Sequence, residues 1–350
     1  MAITTPVYTT REAVKSALDV KLTARSDAQI DRAIESASST IEGFLHRVFY
    51  PELGTRYFDW PNGQYTRPWR LWLDADEAIS ITSVTSGGVT IDSSDYFLEP
   101  ANSGPPYSRL ELDLDSAASF GGGSTHQRSI AITGLFGFKD ESQAAGTLSE
   151  DLDTSETAVD VSDSSPVGVG DLIQVGDERM LVTGKTMLDT AQNLGGNLSA
   201  SAADVTVPVT TGSAYAVGET ILIGSERMLI VDVAGNSLIV KRAWDGSVLA
   251  AHSSGADIYA LRTLTVQRGV LGTVTGSHST SAAISRHVVP GMVRSLCVAE
   301  AINTLLQEGS GYARVVGSGE YQREAAGRAL RDIREQAYTA FGRKARSRAV

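Results

Sequence analysis

Apolar residues at Ile30, Ala33, Ile34, Ala37, Ile41, Phe44, Leu45 and Val48 recur at spacings of three and four. That stripe predicts a helix of more than five turns, opened by Ser26-Asp27-Ala28-Gln29 as a capping box and ended by Pro51. A second box, Thr9 to Glu12, precedes a shorter helix with Val14, Ala17 and Leu18 on one face. From Tyr57 to Ile132 the pattern changes to short β segments: Arg70–Leu73, Ile79–Val84, Val89–Ile91, Arg109–Leu114 and Ser129–Thr133. Gly87-Gly88 and Gly121-Gly122-Gly123 punctuate them. Residues 139–286 are rich in Gly, Ser, Thr, Val and Asp and predict no helix. Helical spacing returns after Val289-Pro290, with Val293, Leu296, Cys297, Ala301 and Leu305 on one face. Gly309 to Gly319 reads as a flexible joint. A last helix then aligns Ala326, Leu330, Ile333, Ala337 and Phe341, with Glu324–Arg328 and Arg331–Glu335 as exposed i,i+4 pairs and Gly342 as its stop.

The middle of the chain repeats itself. Val169-Gly170-Asp171-Leu172-Ile173 and Gly176-Asp177-Glu178-Arg179-Met180-Leu181-Val182 return 48 residues later as Val217-Gly218-Glu219-Thr220-Ile221 and Gly224-Ser225-Glu226-Arg227-Met228-Leu229-Ile230. A different text repeats at 26 residues: Val240-Lys241-Arg242, Gly246, Val248 and His252-Ser253 match Val266-Gln267-Arg268, Gly272, Val274 and His278-Ser279. Both first halves precede both second halves, whereas a tandem duplication would alternate them. One β module (about 191–260) inserted in a loop of another explains the order, and strand exchange between adjacent modules gives the same text. The expected fold is α+β: two N-terminal and two C-terminal helices forming one core, a small β section, and a large all-β insertion of two related, nested modules. The expected divisions are 1–139, 140–286 and 287–350, the last completing the core begun by the first.

Composition narrows the function. Of 350 residues, 42% are hydrophobic and 20% charged, an ordinary globular balance. No run approaches 18 apolar residues, so no membrane span is expected, and Met1–Pro6 lacks the features of a secretory signal. The single cysteine, Cys297, excludes an intrachain disulfide framework. Residues 146–262 hold sixteen acids and six bases, a net of -10 out of the chain's -11. This acidic middle repels nucleic acid and predicts a separately folded, outward-facing domain. Bases gather instead at Arg343, Lys344, Arg346 and Arg348.

Few residues suggest chemistry. Gly184-Lys185-Thr186 matches the end of a phosphate loop, but Arg179 stands where that motif needs glycine and no helix follows. His46, His126, His252, His278 and His287 lack metal-ligand spacing. His252 and His278 occupy equivalent repeat positions, which suits turn-stabilising side chains bonded locally; a ligand or pH-sensing role is the alternative. Glu178-Arg179 and Glu226-Arg227 also recur, but neighbouring strand residues face opposite ways and do not pair with each other. Asp151 and Asp153 read as solvated charge. Trp60, Trp69 and Trp72 near Arg67 and Arg70 suit core and interface packing or, alternatively, base stacking. No catalytic, cofactor or metal residues are expected.

The outer segments resemble the head–tail connector (adaptor) proteins of tailed bacteriophages. The matching text is the helix Ser26–Arg47 with Phe49-Tyr50-Pro51, Thr55-Arg56-Tyr57-Phe58-Asp59, Leu71-Trp72-Leu73, Ile79–Val84, Asp95-Tyr96-Phe97-Leu98 with Pro100, and the glycine-bounded strand Ile130–Phe138. In shorter relatives that strand leads almost directly into a helix begun by Val-Pro, as at Val289-Pro290. The resemblance covers about 200 residues. The long β insertion departs from the minimal pattern; its Arg268-Gly269, Gly272-Thr273 and His278 resemble small β modules of phage virion proteins.

The resemblance implies a structural virion protein without turnover, made in the bacterial cytoplasm and placed at the head–tail interface. Such adaptors form a homo-oligomeric ring, commonly a dodecamer, under the portal protein. They extend the channel through which double-stranded DNA passes and carry a stopper or tail-terminator neck protein. No membrane partner is implied. By the same resemblance Arg343, Lys344, Arg346 and Arg348 dock the portal; an idle solvated tail and DNA contact are the other readings. An alternative function is a tail or baseplate component whose β insertion binds host-surface glycans.

Overall fold

Helix α1 (Arg11–Leu18) begins where the sequence predicts but is capped differently. The Thr10 hydroxyl, not that of Thr9, accepts the Ala13 N–H at 3.2 Å. Glu12 does not reach back to close a box; its carboxylate accepts the Val169 N–H at 2.9 Å and so ties the helix to the β-rich middle. The structure, a computed structural model, describes residues 3–18, 26–60, 67–309, 315–316, 323–324 and 328–343. Helix α2 (Asp27–Leu45) opens with the expected capping box, Gln29 N–H to Ser26 Oγ at 3.4 Å and Ser26 N–H to Gln29 Oε1 at 3.1 Å. Ile30, Ala33, Ile34, Ala37, Ile41 and Leu45 are buried along it. It stops before Pro51, because His46 turns left-handed (φ 52°) and ends the hydrogen-bond ladder.

Seven strands follow: β1 (Glu52–Phe58), β2 (Arg70–Trp72), β3 (Ala78–Ser86), β4 (Val89–Ile91), β5 (Tyr96–Glu99), β6 (Arg109–Leu112) and β7 (Ile130–Phe136). They form one sheet of order β1-β7-β3-β4 and another of order β2-β6-β5. Leu71, Leu73, Val84, Leu110, Ile130, Ile132 and Phe136 fill the space between them.

The middle of the chain contributes β8 (Ser142–Thr147), β9 (Ala158–Asp160), β10 (Leu172–Val175), β11 (Glu178–Asn193), β12 (Thr206–Pro208), β13 (Thr220–Ile223), β14 (Glu226–Ala234), β15 (Ser237–Lys241), β16 (Asp257–Gln267) and β17 (Ala283–His287). They form one sheet of order β12-β15-β14-β13-β16-β11-β10-β17-β8, with β9 also on β16. The two longest strands, β11 and β16, pair from Leu181↔Gln267 to Asn193↔Asp257. Two apolar clusters result. One takes Val161, Ile173, Val175, Met180 and Val182 together with Leu264, Val266 and Ile284. The other is drawn wholly from Leu194 to Ala260, including Ile221, Met228, Ile230, Leu238 and Ile258. Gly176 and Gly224, at φ 57° and 60°, lead equivalent two-residue hairpin turns.

The chain enters and leaves this region at one place. Ser142 of β8 is the register partner of His287 of β17, and the Val288 N–H donates to the Glu141 carbonyl at 2.8 Å. Helix α3 (Gly291–Gly309) follows, with Val293, Leu296, Cys297, Ala301 and Leu305 buried against the α2 stripe. Val315–Val316 (β18), inside the stretch expected to be a glycine joint, pairs with Arg323–Glu324 (β19) beyond it. Helix α4 runs Arg328–Phe341. Glu324 is therefore in a strand, so its expected pairing with Arg328 on one helix face does not apply; Ala326 lies outside the described residues. Gly342 does end α4: a Cβ there would meet the Tyr338 carbonyl at 2.4 Å.

The whole is a mixed α+β fold. Its helical core contains, besides α1 to α4, Val169, Leu172, Leu181 and Val270 from the β-rich region. The acidic middle therefore shares apolar packing with the helices instead of standing apart from them. Gly272 shows how close the approach is, since a Cβ there (φ 80°) would fall 1.9 Å from the Leu53 carbonyl of β1.

Candidate functional site

The C-terminal end of α4 is fixed before the basic tail begins. Arg47, just after α2, sends Nη1 to the Phe341 carbonyl at 2.9 Å, while its Nε and Nη2 fork onto Glu77 at 2.7 and 2.9 Å. The Arg343 N–H donates to the Leu45 carbonyl at 3.0 Å. Phe341 packs edge-on against Phe49 and Phe138, with centroids 5.9 and 5.6 Å away. Of the four cations expected to dock a partner, Arg343 is thus positioned at the α2–α4 junction. Lys344, Arg346 and Arg348 lie outside the described residues.

The residues repeated in the β-rich region meet in two matching ion clusters. Glu178 is buried at the start of β11. Arg268 forks onto it with Nε and Nη2, both at 2.7 Å, and His278 Nε2 lies 2.8 Å from Oε2. The N–H groups of Gly269 and Gly276 also donate to this carboxylate at 3.1 Å each. Arg268 spends its remaining donors on the carbonyls of Asp153, Glu156 and Gly276. In the second cluster Arg242 forks onto Glu226 at 2.8 and 2.8 Å, His252 Nε2 lies at 2.9 Å, and Ala243 and Ala250 supply the N–H groups. Arg242 likewise donates to Ser199, Asp204 and Ala250 carbonyls.

Burial alone would raise both carboxyls, but the arginine fork, the histidine and the loop N–H groups outweigh it and hold each down at about 2. Each histidine is therefore bonded to a distant buried glutamate and not to its own turn, and Arg179 turns away to Asp140 at 3.0 Å. Chemically the arrangement is a clamp. It pins the loop between the arginine and the histidine onto a hairpin. The first loop then places Val270 in the helical core and its Leu271 carbonyl on the Leu53 N–H at 2.9 Å. The second offers Asp245 to Lys15 of α1 at 3.1 Å.

The remaining motifs resolve as follows. Gly184-Lys185-Thr186 lies inside β11, so it forms no phosphate loop; Lys185 instead faces a cavity described below. Asp151 and Asp153 accept main-chain N–H groups, of Thr280 at 2.6 Å and of Ser155 at 2.6 Å respectively. Trp60 packs on Phe120, while Trp72 lies under Arg70 and Arg109, whose side chains both pair with Glu111. Among the described residues no cluster of three or more His, Cys, Asp or Glu side chains is suited to a metal ion, and no helix is long and apolar enough to cross a membrane. Sequence reasoning missed the Glu–Arg–His pairing, although the 48- and 26-residue repeats singled out all six participants. It also missed Arg47 and Glu77, for which no repeat gives a signal. No family model, curated protein or solved structure matches the chain.

Proposed function

We propose that the protein is a head-to-tail adaptor of a tailed bacteriophage, a structural subunit that assembles as a ring beneath the portal, extends the DNA channel and carries a stopper or tail. The observation that carries this reading is the single rung at which the β-rich region begins and ends. With Val288 bonded to Glu141, the segment leaving β7 and the segment entering α3 meet at one point, as expected if the region is an insertion in a shorter strand-to-helix pattern. The common core of α1, α2, α3 and α4 and the fixed exit of the basic tail at the α2–α4 junction support the same reading. So does the partly exposed pair Phe44 and Tyr338, 5.4 Å apart, an aromatic patch of the kind enriched at subunit interfaces. The insertion itself we read as two related modules, one nested in the other. Support comes from the clamps: Glu178 pairs with the last repeat and Glu226 with the one beside it in sequence, whereas strand exchange would cross these partners.

Electron microscopy and sedimentation of the purified protein, alone and mixed with candidate portal rings, test the proposal. Closed rings that cap the portal are expected. A protein that stays monomeric and leaves every portal bare would overturn it.

A further inference from the structure

Where α1, α3 and the two β modules meet, the structure forms a half-open pocket of about 230 Å³. That is several times the roughly 30 Å³ of one water in the liquid, so it has room for a small solute. Three cations line it: Lys185 from β11, Arg286 from β17 and Arg294 from α3, together with the carboxylates of Glu12 and Asp171.

The carboxylates are already engaged. Glu12 accepts the Val169 N–H at 2.9 Å, and Asp171 accepts the Gly168 N–H at 2.7 Å. Glu219, which also acts on Lys185, is held by the Arg262 fork at 2.8 and 2.7 Å. The cations are not matched in the same way. The Lys185 ammonium donates to the Ser164 carbonyl at 2.9 Å and has two further protons to place. Arg286 stands 3.7 Å from Asp171, beyond hydrogen-bond reach, and meets Gln143 at 3.3 Å. The Arg294 guanidinium makes no hydrogen bond or ion pair among the described residues. Donors thus outnumber acceptors around a half-open pocket of mixed polarity. With three cations against the two engaged carboxylates, a cationic ligand meets a net positive lining, and a neutral one leaves cation donors unpaired.

We propose that this cavity binds a compact oxyanion, of the size of sulfate, phosphate or a short dicarboxylate, held by Lys185, Arg286 and Arg294 between the helical core and both β modules. Because α1, α3 and both β modules each contribute to the wall, the bound anion cements the insertion to the helices. This inference does not depend on the adaptor reading.

The test is thermal unfolding and isothermal titration of the full chain with sodium sulfate, against sodium chloride at equal ionic strength. Saturable stabilisation by sulfate and not by chloride is expected, with affinity at least tenfold weaker in Arg294→Gln and in Lys185→Met and unchanged in Arg128→Gln, a cation outside the cavity. Arg294→Gln is the decisive variant, since among the described residues its guanidinium has no hydrogen bond or ion pair to lose and the fold should survive by circular dichroism. Phosphate and malonate arms separate a tetrahedral oxyanion from a carboxylate, and binding of either supports the site. Equal stabilisation by sulfate and chloride, or undiminished sulfate binding by Arg294→Gln, overturns it.

Discussion

Arg268 stands ninety residues from Glu178 in the chain, yet both arms of its guanidinium rest 2.7 Å from the glutamate's two oxygens. The pair is almost wholly buried, at 5% and 1% side-chain exposure, so removing one charge strands the other in a dry site. Glu178→Gln should cost about 3–5 kcal/mol in urea unfolding, the usual penalty for breaking a buried pair. Glu226→Gln should cost a similar amount. The two should differ in where the damage falls. Loss of the Glu178 clamp frees Val270 and Leu271 from the helical side, so hydrogen exchange at Leu53 should accelerate in that variant alone. A cost below about 1 kcal/mol for Glu178→Gln, the range of an exposed pair, would show the clamp to be ornamental.

Acid should unfold the protein partly through these glutamates. Their carboxyls sit at about 2 in the fold against an ordinary 4.5. A depressed carboxyl contributes stability that is present above its unfolded value and lost as pH falls toward its folded one. Asp171 behaves oppositely. Burial raises it to about 6 from 3.8, against the pull of Arg286 and the Gly168 N–H. Its contribution is complete below 3.8 and lost as pH rises through about 6. Urea midpoints measured from about pH 2.5 to 8 should therefore peak at mildly acid pH. Asp171→Asn should remove the decline on the alkaline side while leaving the acid limb in place. A wild-type profile that is flat between pH 4 and 7 and unaltered by Asp171→Asn would contradict this account.

Excision should discriminate between the two β modules. Leu188 and Ala260 face each other across the β11–β16 ladder, so the residues between them can be replaced by an Asn-Gly turn. That deletion leaves the Glu178 clamp and the helical core untouched, and the helical circular-dichroism signal should persist. Deleting 146–262 instead removes Val169, Leu172 and Leu181 from the helical core. It should yield insoluble protein. Equal solubility of the two deletions would mean that the shared packing contributes little.

The basic tail can be removed without disturbing the last helix if the cut falls after Arg343, whose N–H holds Leu45. If the proposed portal docking holds, truncation at that point should leave the melting temperature unchanged and weaken co-sedimentation with portal, and the full-length protein's own attachment should weaken as salt is raised. Retention of portal binding with loss of duplex-DNA binding would assign the tail to the channel.

How much of this was legible depended on the range of the interaction. The α2 and α3 stripes, the Ser26–Gln29 box and the Val289-Pro290 start depend on neighbours within a few residues, and the structure keeps them, except that Phe44 of the α2 stripe is exposed. The Thr9 box failed because Glu12 found a better use 157 residues away, on the Val169 N–H. The α2 terminus shifted because His46 accepts a left-handed conformation, which no apolar pattern encodes. The repeats marked Glu178, Arg268 and His278 as important without revealing that they meet, since spacing carries no information on which distant strands pair. Arg47 and Glu77 carried no mark at all, being single residues whose relation exists only once α2 lies on the sheet.

The order in which the chain leaves the ribosome gives the single entry rung a kinetic meaning. Helix α2 is complete at Leu45, but α3, which covers its stripe, begins at Gly291. At about 5–20 residues per second, those intervening residues take roughly 12–50 s to synthesise. During that interval the core between the β1–β7 sheets, complete at Phe136, is the first β core with all its parts emerged; within the insertion the cluster from Leu194 to Ala260 comes next, and the cluster around it can close only after Ile284. The insertion is thus built from its centre outward. The α2 stripe, by contrast, waits for α3, and for most of the chain's synthesis that stripe is what a chaperone would hold.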